Sequence, residues 1–127
     1  MTENEIGSVV VDSSIEVHRF LGPGLLESVY EASLLHELQL RGLSVVAQVL
    51  IDVEYKGVRF EKGFRADLII NGIVIIELKS VELLTAAHRK QLQTYLRLSD
   101  IKLGFLLNFG AALMRSGIVR AVNNLPD

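Results

Sequence analysis

The chain has 127 residues, half of them hydrophobic but only 6% aromatic, which fits one domain around an aliphatic core of Leu, Ile and Val. It contains no cysteine, which excludes disulfides and cysteine-based zinc sites. A net charge of −2 argues against a broad basic surface, and no apolar run nears the roughly 20 residues of a membrane span, so a cytoplasmic protein with no membrane partner is expected.

The opening, Met1 to Gly7, has neither the basic nor the apolar stretch of a secretory signal. From Asn4 to Leu21 the apolar residues Ile6, Val9, Val10, Val17 and Phe20 recur at helical spacing. Gly22-Pro23-Gly24 then breaks the chain sharply. A second helix is predicted from Leu26 to Arg41, with Tyr30, Leu34 and Leu38 stacked one turn apart. Gly42 stands where a helix C-terminal glycine belongs.

Between Val45 and Tyr55, Val45, Val46, Val49, Ile51, Val53 and Tyr55 are β-branched or aromatic, which predicts a strand. Lys56-Gly57 is a turn, and Val58 to Phe60 begins the return strand. A break is predicted at Lys62-Gly63, with the strand resuming from Phe64 to Ile70. Asn71-Gly72 is a hairpin signal. Ile73 to Lys79 is apolar on both faces, as a central, doubly covered strand requires. A third helix is predicted from Thr85 to Leu98, a buried strand from Ile101 to Phe109, and a short last strand from Ile118 to Val122. The order α-α-β-β-β-α-β-β is that of an α/β protein with helices on both faces of a sheet.

The chemistry concentrates at the central hairpin. Glu77 and Lys79 follow directly on Ile73-Val74-Ile75-Ile76 and, being two apart in a strand, share a face. Asp67 sits inside the preceding apolar strand. Burying such charges unpaired costs several kcal/mol each. Two carboxylates suit Mg²⁺, leaving positions for water and a phosphate oxygen, and a nearby ammonium can orient that water or stabilise the phosphoryl transition state. This is a constellation for phosphodiester cleavage. The competing reading is a strand-end ion pair of Glu77 with Lys79, with Asp67 solvated at an edge.

The hairpin register discriminates. A strict two-residue turn pairs Ile70 with Ile73 and turns Asp67 away from Glu77. A three-residue turn, Asn71 to Ile73, or a bulge sets them on one face. The chemistry predicts the odd register, or strands that splay before Asp67.

Glu27 falls in the first turn of the second helix, where a carboxylate suits the helix dipole. Tyr30, one turn on, reads as core. His88, Gln91, Tyr95 and Leu98 share one face of the third helix, where His88 and Gln91 could contact a phosphate or the site carboxylates. No second histidine stands at metal spacing. Lys56, Arg59, Lys62 and Arg65 around the first hairpin, and Arg89, Lys90 and Arg97 on the third helix, are either phosphate contacts or a solvated face.

Gly24-Leu25-Leu26-Glu27-Ser28-Val29-Tyr30, Asp67, Glu77-Leu78-Lys79 and Gln91-x-x-x-Tyr95 together resemble the GxxExxY proteins of the PD-(D/E)XK nuclease superfamily. The likeness runs from Asn4 to Val122. Ala66 stands where the superfamily's name has proline. The resemblance implies a restriction-endonuclease-like core with a central mixed sheet. It implies Mg²⁺ or Mn²⁺ at Asp67 and Glu77, with the Leu78 backbone carbonyl as a further ligand. Lys79 would be the catalytic lysine, Glu27 an additional acid near the metal, and Gln91 a positioning residue. His88, Gln91 and Tyr95 are the substrate-contact candidates.

The expected activity is metal-dependent nuclease, with DNA ahead of RNA as substrate. A homodimer is a way for so short a chain to grip a duplex. The alternative is a nucleic-acid-binding or protein-interaction module that keeps the fold without turnover.

Overall fold

The computed structural model describes residues 1–126. Helices α1 (Glu3–Leu21) and α2 (Glu27–Leu40) precede strands β1 (Val45–Tyr55), β2 (Val58–Ile70) and β3 (Val74–Lys79). Helix α3 (Ala86–Ser99), strand β4 (Leu103–Asn108), a 3₁₀ turn (Met114–Gly117) and strand β5 (Ile118–Val122) follow. The five strands form one sheet in the order β1-β2-β3-β4-β5. All neighbours are antiparallel except β3 and β4, which the α3 crossover makes parallel. No helix among the described residues is long and apolar enough to cross a membrane.

The predicted mixed sheet between helices is thus the observed architecture. Ile6, Val10 and Val17 of α1 and Tyr30, Leu34 and Leu38 of α2 pack with Leu68, Ile70, Val74, Ile76 and Leu78 on one side of the sheet. Leu92 and Leu96 of α3 pack with Ile75 and Leu106 on the other. Central strands β3 and β4 are buried almost throughout, as their two-faced apolarity requires. Gly42 closes α2 with φ of +87°, while Leu43 N–H reaches back to the Leu38 carbonyl.

Two local features differ from the linear reading. The expected break at Lys62-Gly63 is a bulge within one continuous strand. Asp52 spans it, accepting the Lys62 N–H at 3.1 Å and pairing with Arg59. The Asn71-Gly72 turn has positive φ at both residues, 50° and 72°, but Ile73 is added to the loop, so Ile70 pairs with Val74. Two bonds fix this turn to the root of β1: Ser44 N–H donates to the Asn71 side chain, and Asn71 N–H donates to the Ser44 carbonyl.

Candidate active site

The three-residue turn settles the register. Ile70↔Val74, Ile69↔Ile75 and Leu68↔Ile76 are paired, and continuing the count sets Asp67 opposite Glu77. There the ladder to β2 stops, while β3 stays paired with β4 as far as Lys79↔Asn108. The strands part at Asp67, and its carboxylate Oδ2 fills the gap by accepting the Leu78 N–H at 2.9 Å. The N–H and C=O of one strand residue point to the same edge, so the Leu78 carbonyl is directed into the same fork.

Asp67 also marks a change of layer. Leu68 and Ile70 pack under α1 and α2, whereas Ala66 packs in the cluster on the α3 side and Phe64 stacks on Tyr95 of α3. Gln48, between the pairs Ala47↔Leu68 and Val49↔Ala66, has φ of +56°. The β1–β2 ribbon twists at Gln48 and Asp67 and passes from one helix layer to the other. Left-handed backbone at a non-glycine residue costs of order 1–3 kcal/mol and persists where the surroundings enforce it.

Glu77 is 6% exposed, and its Oε1 has no hydrogen-bond partner among the described residues. Its carboxyl is pushed up to about 9, by burial first and by the neighbouring Asp67 carboxylate next, with Lys79 offsetting the least. Lys79 forms no ion pair among the described residues, so Glu77 and Lys79 are not a closed strand-end pair. Its backbone carbonyl accepts the Phe109 N–H at 2.9 Å.

Asp67 and Leu78 line an open cleft of ≈ 240 Å³ together with Glu27, Ser28 and Glu31 of α2, Gln48 and Arg65. Glu27 is the first residue of α2 and is exposed there. The loop before it is locked by Tyr30, whose buried hydroxyl donates to the Gly22 carbonyl at 2.5 Å and accepts the Leu25 N–H at 3.0 Å. Its ring stacks on Phe109 at 4.7 Å. Gly24 has φ of +101°, which a side chain rarely tolerates. The spacing of Gly24, Glu27 and Tyr30 is therefore a loop lock that sets one acid at the cleft.

Tyr95 approaches from α3. Burial raises its phenol first, then the carboxylates of Glu77 and Asp67, while Gln91 beside it acts in the opposite sense. Gln91 is exposed on the same helix face. His88 is engaged in the cap of α3, its Nδ1 accepting the Thr85 N–H at 3.1 Å while Thr85 Oγ1 accepts the His88 N–H.

Sequence reasoning missed three residues. Glu31 is raised by burial and by the Asp67 and Glu27 carboxylates, while the Gln48 amide donates to it. Its signal was its place one turn after Glu27, but an isolated helix acid has many explanations. Gln48 had no signal. Asn108, buried at the end of β4, accepts the Val81 and Gly110 N–H groups, each at 3.0 Å, and donates to the Val81 carbonyl at 2.9 Å. It anchors the segment that leaves Lys79.

Among the described residues, no three Asp, Glu, His or Cys side chains close a metal cage by themselves. Two facing carboxylates, one with an unpartnered buried Oε1, and a backbone carbonyl directed at the fork nonetheless fit a hard cation that keeps several waters. They fit a softer, histidine- or thiolate-bound metal poorly.

Residues 4–121 match the family model described as the PD-(D/E)XK nuclease superfamily. No curated protein matches the chain. A solved structure titled "Crystal structure of SSO0001" is similar at 18% identity, covering 96% of this chain and 79% of that one with a TM-score of 0.42.

Proposed function

Because the chain belongs to the PD-(D/E)XK nuclease superfamily, we propose that it is a metal-dependent nuclease, with DNA the first substrate to test. The observation that carries this reading is the fork at Asp67, where Glu77 lies buried opposite it with one oxygen unpartnered. Members of this superfamily generally use divalent metals. Asp67, Glu77 and the Leu78 carbonyl would hold the ion, Mg²⁺ or Mn²⁺.

When bound, such an ion supplies a Lewis acid that polarises a phosphoryl oxygen and makes water more acidic. The chain's own groups do the rest. Lys79, without a carboxylate partner among the described residues, is available to orient the attacking water or to meet charge on the phosphoryl oxygens. Glu27 adds a carboxylate at the cleft mouth, held there by the Tyr30 lock. Tyr95 borders the carboxylates from α3 with Gln91 beside it, and the two suit positioning of the strand to be cut. The water oxygen attacks phosphorus, and the sugar oxygen on the far side leaves with a proton from solvent.

The test is cleavage of labelled DNA in Mg²⁺ and in Mn²⁺. Lys79→Ala and Asp67→Asn are expected to lower kcat roughly 10²- to 10³-fold, the usual loss when one electrostatic contributor is removed. Cleavage that survives both changes would come from a contaminant and would sink the reading.

A further inference from the structure

Beyond Gln48 and Asp67 the β1–β2 ribbon lies over α3 and leaves a groove of ≈ 400 Å³ between Phe60, Phe64, Tyr95 and Leu98. That volume falls within the roughly 300–1,000 Å³ of ligand pockets. Phe64 and Tyr95 stack at 4.1 Å and 13°, while Phe60 is 53% exposed beside them.

The surroundings are basic. Helix α3 carries Arg89, Lys90 and Arg97, all exposed, and no acidic residue along its length. Exposed Lys62 adds to this from β2. Lys90 and Arg97, one turn to either side of Thr94 in the groove wall, set positive charge along its edge. The groove is also continuous with the candidate active site through one residue. The Tyr95 ring lines it, and the same side chain lies in the field of the Glu77 and Asp67 carboxylates.

We propose that this groove seats an unpaired nucleobase, so that the preferred ligand is single-stranded nucleic acid and not intact duplex. A base within a duplex keeps both faces on its neighbours and cannot enter an aromatic slot without being unstacked. Exposed aromatic rings beside a cationic track bind single strands with little sequence preference, because every base offers a π-face. The phosphates of such a strand would run along the cations of α3. Base binding stands on the groove alone; its use in cleavage rests on the nuclease reading above.

The experiment is fluorescence anisotropy in Mg²⁺ with the Lys79→Ala protein, which leaves the probe uncut. The probes are a labelled single-stranded oligonucleotide and its duplex. The single strand should bind at least about tenfold tighter. Phe60→Ala, at an exposed ring, should weaken single-strand binding about five- to hundredfold and leave duplex binding unchanged. Phe60→Trp should restore it.

Equal affinity for the two probes, or no effect of Phe60→Ala on the single strand, would overturn the proposal. So would self-association that Phe60→Ala abolishes without touching nucleic-acid affinity, which would assign the groove to a second copy of the chain. If wild-type protein cuts neither probe in Mg²⁺ or Mn²⁺ while the Phe60-dependent preference holds, the nuclease reading fails and the groove assignment stands.

Discussion

The carboxylate of Asp67 accepts the backbone N–H of Leu78 at 2.9 Å, so a side chain closes the gap that two parting strands leave open. Asp67 therefore has two separable functions, as a hydrogen-bond acceptor and as a charge. Asp67→Asn keeps an oxygen for Leu78 and relieves the repulsion on Glu77, so it should fold at least as well as wild type. Asp67→Ala strands the Leu78 N–H and should cost about 1–3 kcal/mol. Urea unfolding in EDTA separates the two variants. Stabilisation by Mg²⁺ should be weakened in both.

That fork was legible before the structure because three residues disagreed with their setting. Charges at Asp67, Glu77 and Lys79 interrupt runs that are otherwise aliphatic, and a three-residue turn, a bulge or a splay of the strands would reconcile them; the structure has the three-residue turn. Period placed the helices but not every buried position. Helix α1 buries Ile6, Val10 and Val17 yet leaves Phe20 exposed. Helix α3 buries Leu92 and Leu96, not the face of His88, Gln91, Tyr95 and Leu98, while the central strands bury both faces as their apolarity requires. Lys62-Gly63 marked the place of the bulge opposite Asp52 but not that the strand runs on through it, and nothing local marked the left-handed Gln48. Both arise where β1 and β2 must twist around the sheet. Asn108 escaped for a similar reason: its bonds go to a loop 27 residues away. The end of a buried strand shows in the sequence; the partner that makes its polar tip indispensable does not.

Glu77 gives a pH dependence of definite sign. Its carboxyl is raised from 4.5 to about 9 by burial and then by Asp67. A raised folded-state value means that the proton-bound form is favoured in the fold. The contribution to stability is complete below 4.5 and is lost as pH rises through about 9. Metal-free protein should thus lose stability between these limits, by at most ~1.4 kcal/mol per pH unit from this group. Glu77→Gln should flatten that slope and be the more stable protein at pH ~8 in EDTA, in keeping with the linkage. Mg²⁺ should release a proton on binding to wild type near neutral pH, detectable by calorimetry in buffers of different ionisation enthalpy. A metal-binding heat independent of the buffer would contradict the assignment.

Tyr30 tests the loop lock. Tyr30→Phe keeps the stack on Phe109 but leaves the Gly22 carbonyl and the Leu25 N–H without their shared partner. The expected loss is about 1–3 kcal/mol. Because the loop sets Glu27 at the cleft, the variant should also mimic a weakened Glu27→Gln, with a raised metal requirement for cleavage. Combining the two changes should then give less than the sum of their separate effects on that requirement. Full additivity would disconnect Tyr30 from Glu27.

Asn108 tests whether the segment after Lys79 matters to the lysine. Its side chain ties Val81 from both sides, and a Cβ on Gly110 would lie 2.3 Å from the Val81 carbonyl oxygen, so this packing has no slack. Asn108→Ala frees the Val81 N–H and C=O and should cost about 1–3 kcal/mol. Amide exchange should accelerate at Val81 and Gly110 well before the strands themselves open. Lys79 stands opposite Asn108 in the β3–β4 ladder and has no ion pair among the described residues to hold its side chain. Loosening the segment two residues on should therefore broaden the lysine's positions and lower kcat, with KM nearly unchanged. An effect on KM alone would mean that Asn108 shapes strand binding and leaves the lysine where it is.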